Sequence, residues 1–109
     1  MNEPDELYNR LVDLGEKWAE LNGDASLYEE SKHSVRAELA LRFFQDAKSA
    51  AKAEMMAEAD KRYTDHIRAM VKARTQANIA KVNFDSLRVW VDLMRTKEAT
   101  KRAEATMLK

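Results

Sequence analysis

Neither glycine nor proline occurs between Asp24 and Lys109. These two residue types interrupt helices more strongly than any others, so the segment could form one helix about 130 Å long at 1.5 Å per residue. Charged side chains make up 35% of the chain and aromatic side chains 7%, as is typical of long helices and coiled coils. The sequence therefore predicts an all-α fold without strands, in a single helical domain over residues 1–109.

The first 23 residues are expected to form a separate acidic helix. Pro4 suits a first helical turn, and Gly23 is the expected C-terminal stop. Ser26 and Glu29 have the spacing of a capping box, which predicts a new helix start at about residue 27. We expect helices at about 5–22, 27–60 and 65–107, with residues 24–109 forming a long hairpin or rod. The apolar residues of the first helix are spaced alternately by four and three, as in a coiled-coil seam: Leu7, Leu11, Leu14, Trp18 and Leu21.

The middle of the chain is the expected turn. Small residues cluster on both sides of residues 60–65, and bulky residues lie outside both clusters. This pattern predicts a helical hairpin centred near Tyr63 and Thr64, with the N-terminal helix packed across it as a three-helix bundle. A continuous rod that forms an antiparallel, domain-swapped dimer would make the same contacts between chains. The register pairs Val35 with Val91, Leu39 with Leu87, Phe43 with Phe84, and Ala47 with Ala80.

The last helix carries two apolar faces. The first is an a/d seam, spaced alternately by three and four, at Met70, Ala73, Ala77, Ala80, Phe84, Leu87, Val91 and Met94. The second adjoins it and consists of Ile79, Val82, Val89, Trp90 and Leu93. One partner helix covers only one of these faces. Either the N-terminal helix covers the other face or the chain forms a homo-oligomer, and Trp90 is the candidate hot spot if a partner protein docks there.

A row of cations follows one edge of the a/d seam. Its members recur every seven residues, at e positions: Arg74, Lys81, Arg88, Arg95 and Arg102. Such a row can meet acidic residues of a facing helix or the phosphates of nucleic acid. Residues 1–25 carry seven acidic and two basic side chains, whereas residues 61–109 carry five acidic and twelve basic ones. This asymmetry favours pairing within the molecule or an oligomer, with carboxylates such as Glu16, Glu20 or Glu38.

Residues that carry catalysis are scarce. The chain has no cysteine, and no serine lies near a histidine and an acid at a recognised spacing. Glu30 and His33 have the spacing of one half of a di-iron site, but His66 has Tyr63 where a second half needs an acid. We expect no enzyme activity, no metal and no cofactor. No apolar run is long enough to span a membrane and no apolar leader is present, so the expected compartment is the cytoplasm, with no membrane partner.

Two segments of the C-terminal half resemble small helical proteins encoded by tailed bacteriophages. They are residues 73–82, with the sequence ARTQANIAKV, and residues 93–104, with the sequence LMRTKEATKRAE. The resemblance implies a product of the bacterial host cytoplasm, from gene neighbourhoods that hold DNA replication, recombination or counter-defence functions. It also implies that the protein acts by binding a host or phage protein, without chemistry of its own.

The sequence therefore predicts a non-enzymatic interaction protein, a phage accessory or counter-defence protein that binds a host or phage protein through its C-terminal helix. The alternative is a DNA-associated accessory in recombination or replication, whose basic edge contacts phosphates. A role in virion assembly is a third interpretation, which the residues neither favour nor oppose. The DNA-binding alternative is weakened by acidic residues on the neighbouring faces, namely Asp85, Asp92, Glu98 and Glu104.

Overall fold

The computed structural model describes the protein from residue 3 to residue 108, with side chains from Asp5 onward. It contains three helices, α1 (Glu3–Ala47), α2 (Ala50–Ala59) and α3 (Lys61–Met107), and no strand within the described range. The molecule measures 87 × 26 × 15 Å, a cross-section that holds two helices side by side. The predicted all-α, coiled-coil-like fold is confirmed. The chain forms a hairpin, but not the one that was expected from residues 24–109 alone.

Helix α1 runs through the position where a break was expected. It spans 45 residues and passes through Gly23 without a positive φ angle, so the predicted end at residue 22 and the restart at residue 27 are wrong. The N-terminal seam keeps its phase across the glycine, because Leu21 is followed by the buried Ala25 and then by Val35 and Leu39 at heptad spacing. Packing along this seam offsets the cost of about 1 kcal/mol that an interior glycine imposes on a helix.

The chain reverses direction at Lys48 and Ser49. Lys48 has a φ angle of 64°, and the Ser49 hydroxyl caps α2 by accepting a hydrogen bond from the backbone N–H of Lys52 at 3.2 Å. The predicted turn at Tyr63 and Thr64 is therefore wrong. The predicted register is wrong with it, since Phe84 stacks on Trp18 of α1, at 5.9 Å between ring centroids, instead of pairing with Phe43.

Asp60 joins α2 to α3. Its extended backbone, with φ −72° and ψ 142°, ends one helix and starts the next, and its carboxylate accepts a hydrogen bond from the backbone N–H of Arg62 at 2.8 Å. Because the molecule is only two helices wide, α2 and α3 lie end to end along α1. Arg36 on α1 forms an ion pair with Glu58 on α2 at 3.1 Å. Helix α1 is thus one arm of the hairpin, and α2 and α3 together are the other. The polar stretch at residues 60–65 lies at the junction between α2 and α3.

Small side chains fill the contact between the two arms. Leu39 is the only buried residue larger than alanine among the described residues; the others are Ala25, Ala47, Ala53, Ala57, Ala73, Ala77 and Ala80. Gly15 allows one further close approach, since a β-carbon there would lie 3.1 Å from the Phe84 ring. The helices pack closely, but the hairpin buries little apolar area for its length.

The predicted a/d seam of α3 faces α1. Its positions from Met70 to Val91 are buried or half-buried, and Met94 is 37% exposed. The N-terminal helix lies in line with the second predicted helix instead of across the hairpin. The second apolar face of α3 is consequently exposed in the single chain.

Candidate interaction surface

Among the described residues, Arg74 makes the most hydrogen bonds of any cation in the predicted row, and its partners lie on α1. Its guanidinium donates hydrogen bonds to both carboxylate oxygens of Glu29, at 2.7 and 3.0 Å. It also donates to the side-chain oxygens of Asn22, at 2.6 Å, and Ser26, at 3.5 Å. A bidentate arginine–carboxylate contact fixes both distance and orientation, so this cluster sets the register between α1 and α3.

The partners of Arg74 differ from those expected. Ser26 and Glu29, predicted as a capping box, lie inside α1 and contact α3. Glu38, predicted as a partner of the cation row, forms an ion pair with Arg42 of its own helix at 2.8 Å. Sequence reasoning missed Glu29 because the misplaced turn put it out of reach of Arg74.

The Arg74–Glu29 contact shifts both titrations. Hydrogen bonding from Arg74 lowers the pKa of Glu29 below 4.5, and the same bonds raise the pKa of Arg74. A carboxyl with a depressed folded-state pKa stabilises the fold fully above its unfolded pKa, and that stabilisation is lost as the pH falls through the folded value. The Arg74–Glu29 contact therefore stabilises the fold at neutral pH, and this stabilisation weakens in acid.

Replacing Glu29 with glutamine should lower the urea midpoint of unfolding at pH 7, because the carboxylate that Arg74 binds is lost. The difference from wild type should shrink as the pH falls below 4.5, where the wild-type carboxyl also becomes protonated. Glu30→Gln is the matched control, since Glu30 contacts no arginine within the described chain. A Glu29→Gln effect that is the same at pH 7 and pH 3 would contradict the assignment.

The next two cations of the row lie against aromatic rings. The Lys81 ammonium is 5.7 Å from the centroid of the Trp18 ring, and the Arg88 guanidinium is 5.9 Å from that of Phe84. Arg88 also forms an ion pair with Asp85 at 3.4 Å, and more than half of its side chain is exposed. Both cations cover the Trp18–Phe84 stack and keep their charge at the surface.

The last two cations lie near or beyond the start of α1. Leu7 and Leu11 share a groove of about 250 Å³ with Val91 and Met94, so Glu3 lies opposite a position near residue 98. Arg95 lines this groove. Among the described residues, the side chain of Arg102 makes one long contact, 3.5 Å, to the backbone carbonyl of Glu98.

Beyond about residue 98, no described part of α1 lies opposite α3. Every described residue from Asp92 to Leu108 is exposed. Within the described residues, no carboxylate pairs with Arg95 or Arg102. The cation row thus begins inside the hairpin at Arg74 and ends at Arg95 and Arg102, which have no carboxylate partner in the described part of the chain.

Trp90 lies between this groove and the second apolar face of α3. It is 43% exposed and lines the groove together with Tyr8 and Leu11. On its other side it lines a shallow depression with Val89 and Leu93. A half-exposed tryptophan that contributes to two concave surfaces has the character of an interface residue.

The described residues offer no arrangement suited to metal chemistry. No group of three histidine, cysteine, aspartate or glutamate side chains comes close enough to hold an ion within residues 5–108. His66 is used structurally, because its Nε2 donates a hydrogen bond to the Tyr28 carbonyl at 2.9 Å and thereby ties α3 to α1. No helix in the described part of the chain is long and apolar enough to cross a membrane.

Comparison with known proteins adds no relative to this picture. No family model, curated protein or solved structure matches the chain.

Proposed function

We propose that the protein is a non-enzymatic interaction module that binds a partner protein through the end of α3. The supporting observation is the apolar groove of Leu7, Leu11 and Met94, which Arg95 lines, with Arg102 two turns further along α3. Within the described chain neither arginine forms an ion pair. The resemblance to small phage helical proteins supports a host or phage protein as the partner, and an accessory or counter-defence role.

The groove favours a helical partner with acidic flanks. An amphipathic helix could lie along α3 beyond the start of α1, with apolar residues on Met94 and carboxylates facing Arg95 and Arg102. Such contacts resemble those of α1 with α3, where Glu29 meets Arg74. Beyond the N-terminal end of α1, the partner helix would pack beside α3 and so continue the two-stranded packing.

Reversing the charge of two members of the row tests this proposal. The Arg95→Glu, Arg102→Glu double variant should lose capture of a specific protein from bacterial host lysate while keeping wild-type helicity by circular dichroism. The loss follows because a partner carboxylate would then face another carboxylate. Capture is measured by pull-down and mass spectrometry after nuclease treatment.

The Lys52→Glu, Arg68→Glu double variant is the control, because it makes the same charge change at exposed positions outside the row. It should keep capture. Unchanged capture by the Arg95, Arg102 variant would contradict the proposal. Capture that disappears on nuclease treatment, together with a steep fall of DNA affinity between low and physiological salt, would favour the DNA-associated alternative instead.

A further inference from the structure

We propose that the outer face of α3, which carries Ile79, Val82, Ser86, Val89 and Leu93, is a self-association surface. A second copy of the chain packs on it antiparallel, about a two-fold axis at Ser86. This inference does not depend on the proposed function, because it uses a different face of α3. The cation row lies on one side of the a/d seam, whereas the outer face lies opposite that seam.

The outer face has coiled-coil spacing of its own. Ile79, Val82, Ser86, Val89 and Leu93 follow one another at intervals of three and four residues. Each of the four apolar members is more than half exposed. A helix with two such seams on opposite sides is built to contact helices on both sides.

The thin core of the hairpin is the physical reason for covering this face. Within the described residues no large side chain is completely buried, and the buried set consists of Leu39 and alanines. A chain of this length that packs only two helices side by side leaves much apolar surface in water. Pairing through α3 would give a four-helix cross-section with a second layer of valine, isoleucine and leucine.

The order of residues on the outer face is self-complementary. About a two-fold axis at Ser86, Ile79 of one copy meets Leu93 of the second copy, Val82 meets Trp90, and Val89 meets Asn83. Ser86 meets itself, and its small side chain allows the two helices to approach closely at the axis. Two of these three symmetric pairs join apolar side chains, as an isologous dimer requires, and this favours a second copy over an unrelated partner.

Trp90 has a place to dock in this arrangement. A groove of about 310 Å³ lies on the same side of α3, lined by Leu21, Ile79, Ala80 and Asn83 among others. The antiparallel register places Trp90 of the second copy opposite Val82 and Asn83, at the mouth of this groove. The indole of each copy would then be covered by the other, as is typical of an interface anchor.

Charge also favours the antiparallel orientation. A parallel pair would place the two basic C-terminal ends side by side, whereas the antiparallel pair separates them to opposite ends. Near the axis, each Asp85 is already paired with Arg88 at 3.4 Å, so that the axis joins two ion pairs and not two bare carboxylates.

Sedimentation equilibrium on the full chain tests the association. Wild type should have about twice the mass of the 12.6 kDa chain. The Val89→Glu, Leu93→Glu double variant should weaken association at least about 100-fold, since it buries charge in the interface. Leu41→Glu, at a position 78% exposed on α1, should leave it unchanged. A monomeric wild type, or an equally strong dimer of the double variant, would overturn the proposal.

Disulfide trapping tests the orientation without relying on a disruptive variant, because the chain has no cysteine of its own. Ile79→Cys and Leu93→Cys proteins, mixed and oxidised, should form the mixed disulfide between 79 and 93. Cross-linking only between identical variants would indicate a parallel pair and overturn the antiparallel register. Since this experiment uses purified protein alone, its outcome is independent of partner capture by the basic end of α3.

Discussion

Replacing Leu39 with alanine should lower the free energy of unfolding by about 3 kcal/mol, within the roughly 2–5 kcal/mol known for leucine deletions in packed cores. Leu39 is 2% exposed and is the only large side chain in the buried set of the described residues. It lies on α1 near the turn, where α2 packs back against α1. Its loss leaves a cavity in the contact between the two arms of the hairpin. The measurement is urea unfolding followed by circular dichroism, at one fixed protein concentration.

Leu41→Ala provides the matched control. Leu41 is on the same helix, two residues away, and is 78% exposed, so the same deletion should change the free energy of unfolding by less than about 0.5 kcal/mol. Equal effects of the two substitutions would contradict the placement of α2 on α1. An effect only at Leu41 would indicate that α1 is rotated from its observed orientation.

Enlarging Ala77 should also destabilise the fold, by about 1–3 kcal/mol for Ala77→Leu. Ala77 is completely buried and packs in a cluster with Ala25 and Ala73, against which Leu21 is half-buried. The extra atoms must push α1 and α3 apart, which also strains the nearby contact between Arg74 and Glu29. Thermal unfolding followed by circular dichroism would measure the loss.

The same substitution at Ala99 is the control, because Ala99 is exposed on the part of α3 that has no neighbouring helix. Ala99→Leu should leave the transition within about 0.5 kcal/mol of wild type. A neutral or stabilising Ala77→Leu would mean that the two arms have room between them, and would contradict the close packing through alanine.

The sequence predicts the helical class and the inner face of α3 well, because both depend on local periodicity. From Met70 to Val91 the positions at a and d are those that face α1. The exposed second face was equally visible in the spacing from Ile79 to Leu93. The charge asymmetry predicted in general terms that Arg74 lies near acidic residues of the N-terminal half, but it did not identify Glu29 as the partner.

The turn could not be placed in the same way, because alanine clusters on both arms pack almost equally well in several registers. Lys48 takes a left-handed backbone conformation without being glycine, and only Ser49 marks the start of α2. Gly23 suggested a helix end that the structure does not have, since glycine caps a helix by adopting a positive φ angle and Gly23 does not adopt one. The signal against a break there was the seam itself, which keeps its phase from Leu21 to Ala25.

Chemical cross-linking of two introduced cysteines tests the hairpin most directly. The side chains of Asn22 and Arg74 touch in the structure, at 2.6 Å, and the chain contains no other cysteine. Asn22→Cys, Arg74→Cys protein treated at high dilution with a short bismaleimide should cross-link within one chain. Gln45→Cys, Val82→Cys protein, which the register centred on residues 63–64 would bring together, should not cross-link. Links formed only between chains, or formed by the second pair instead of the first, would contradict a hairpin closed at Lys48 and Ser49.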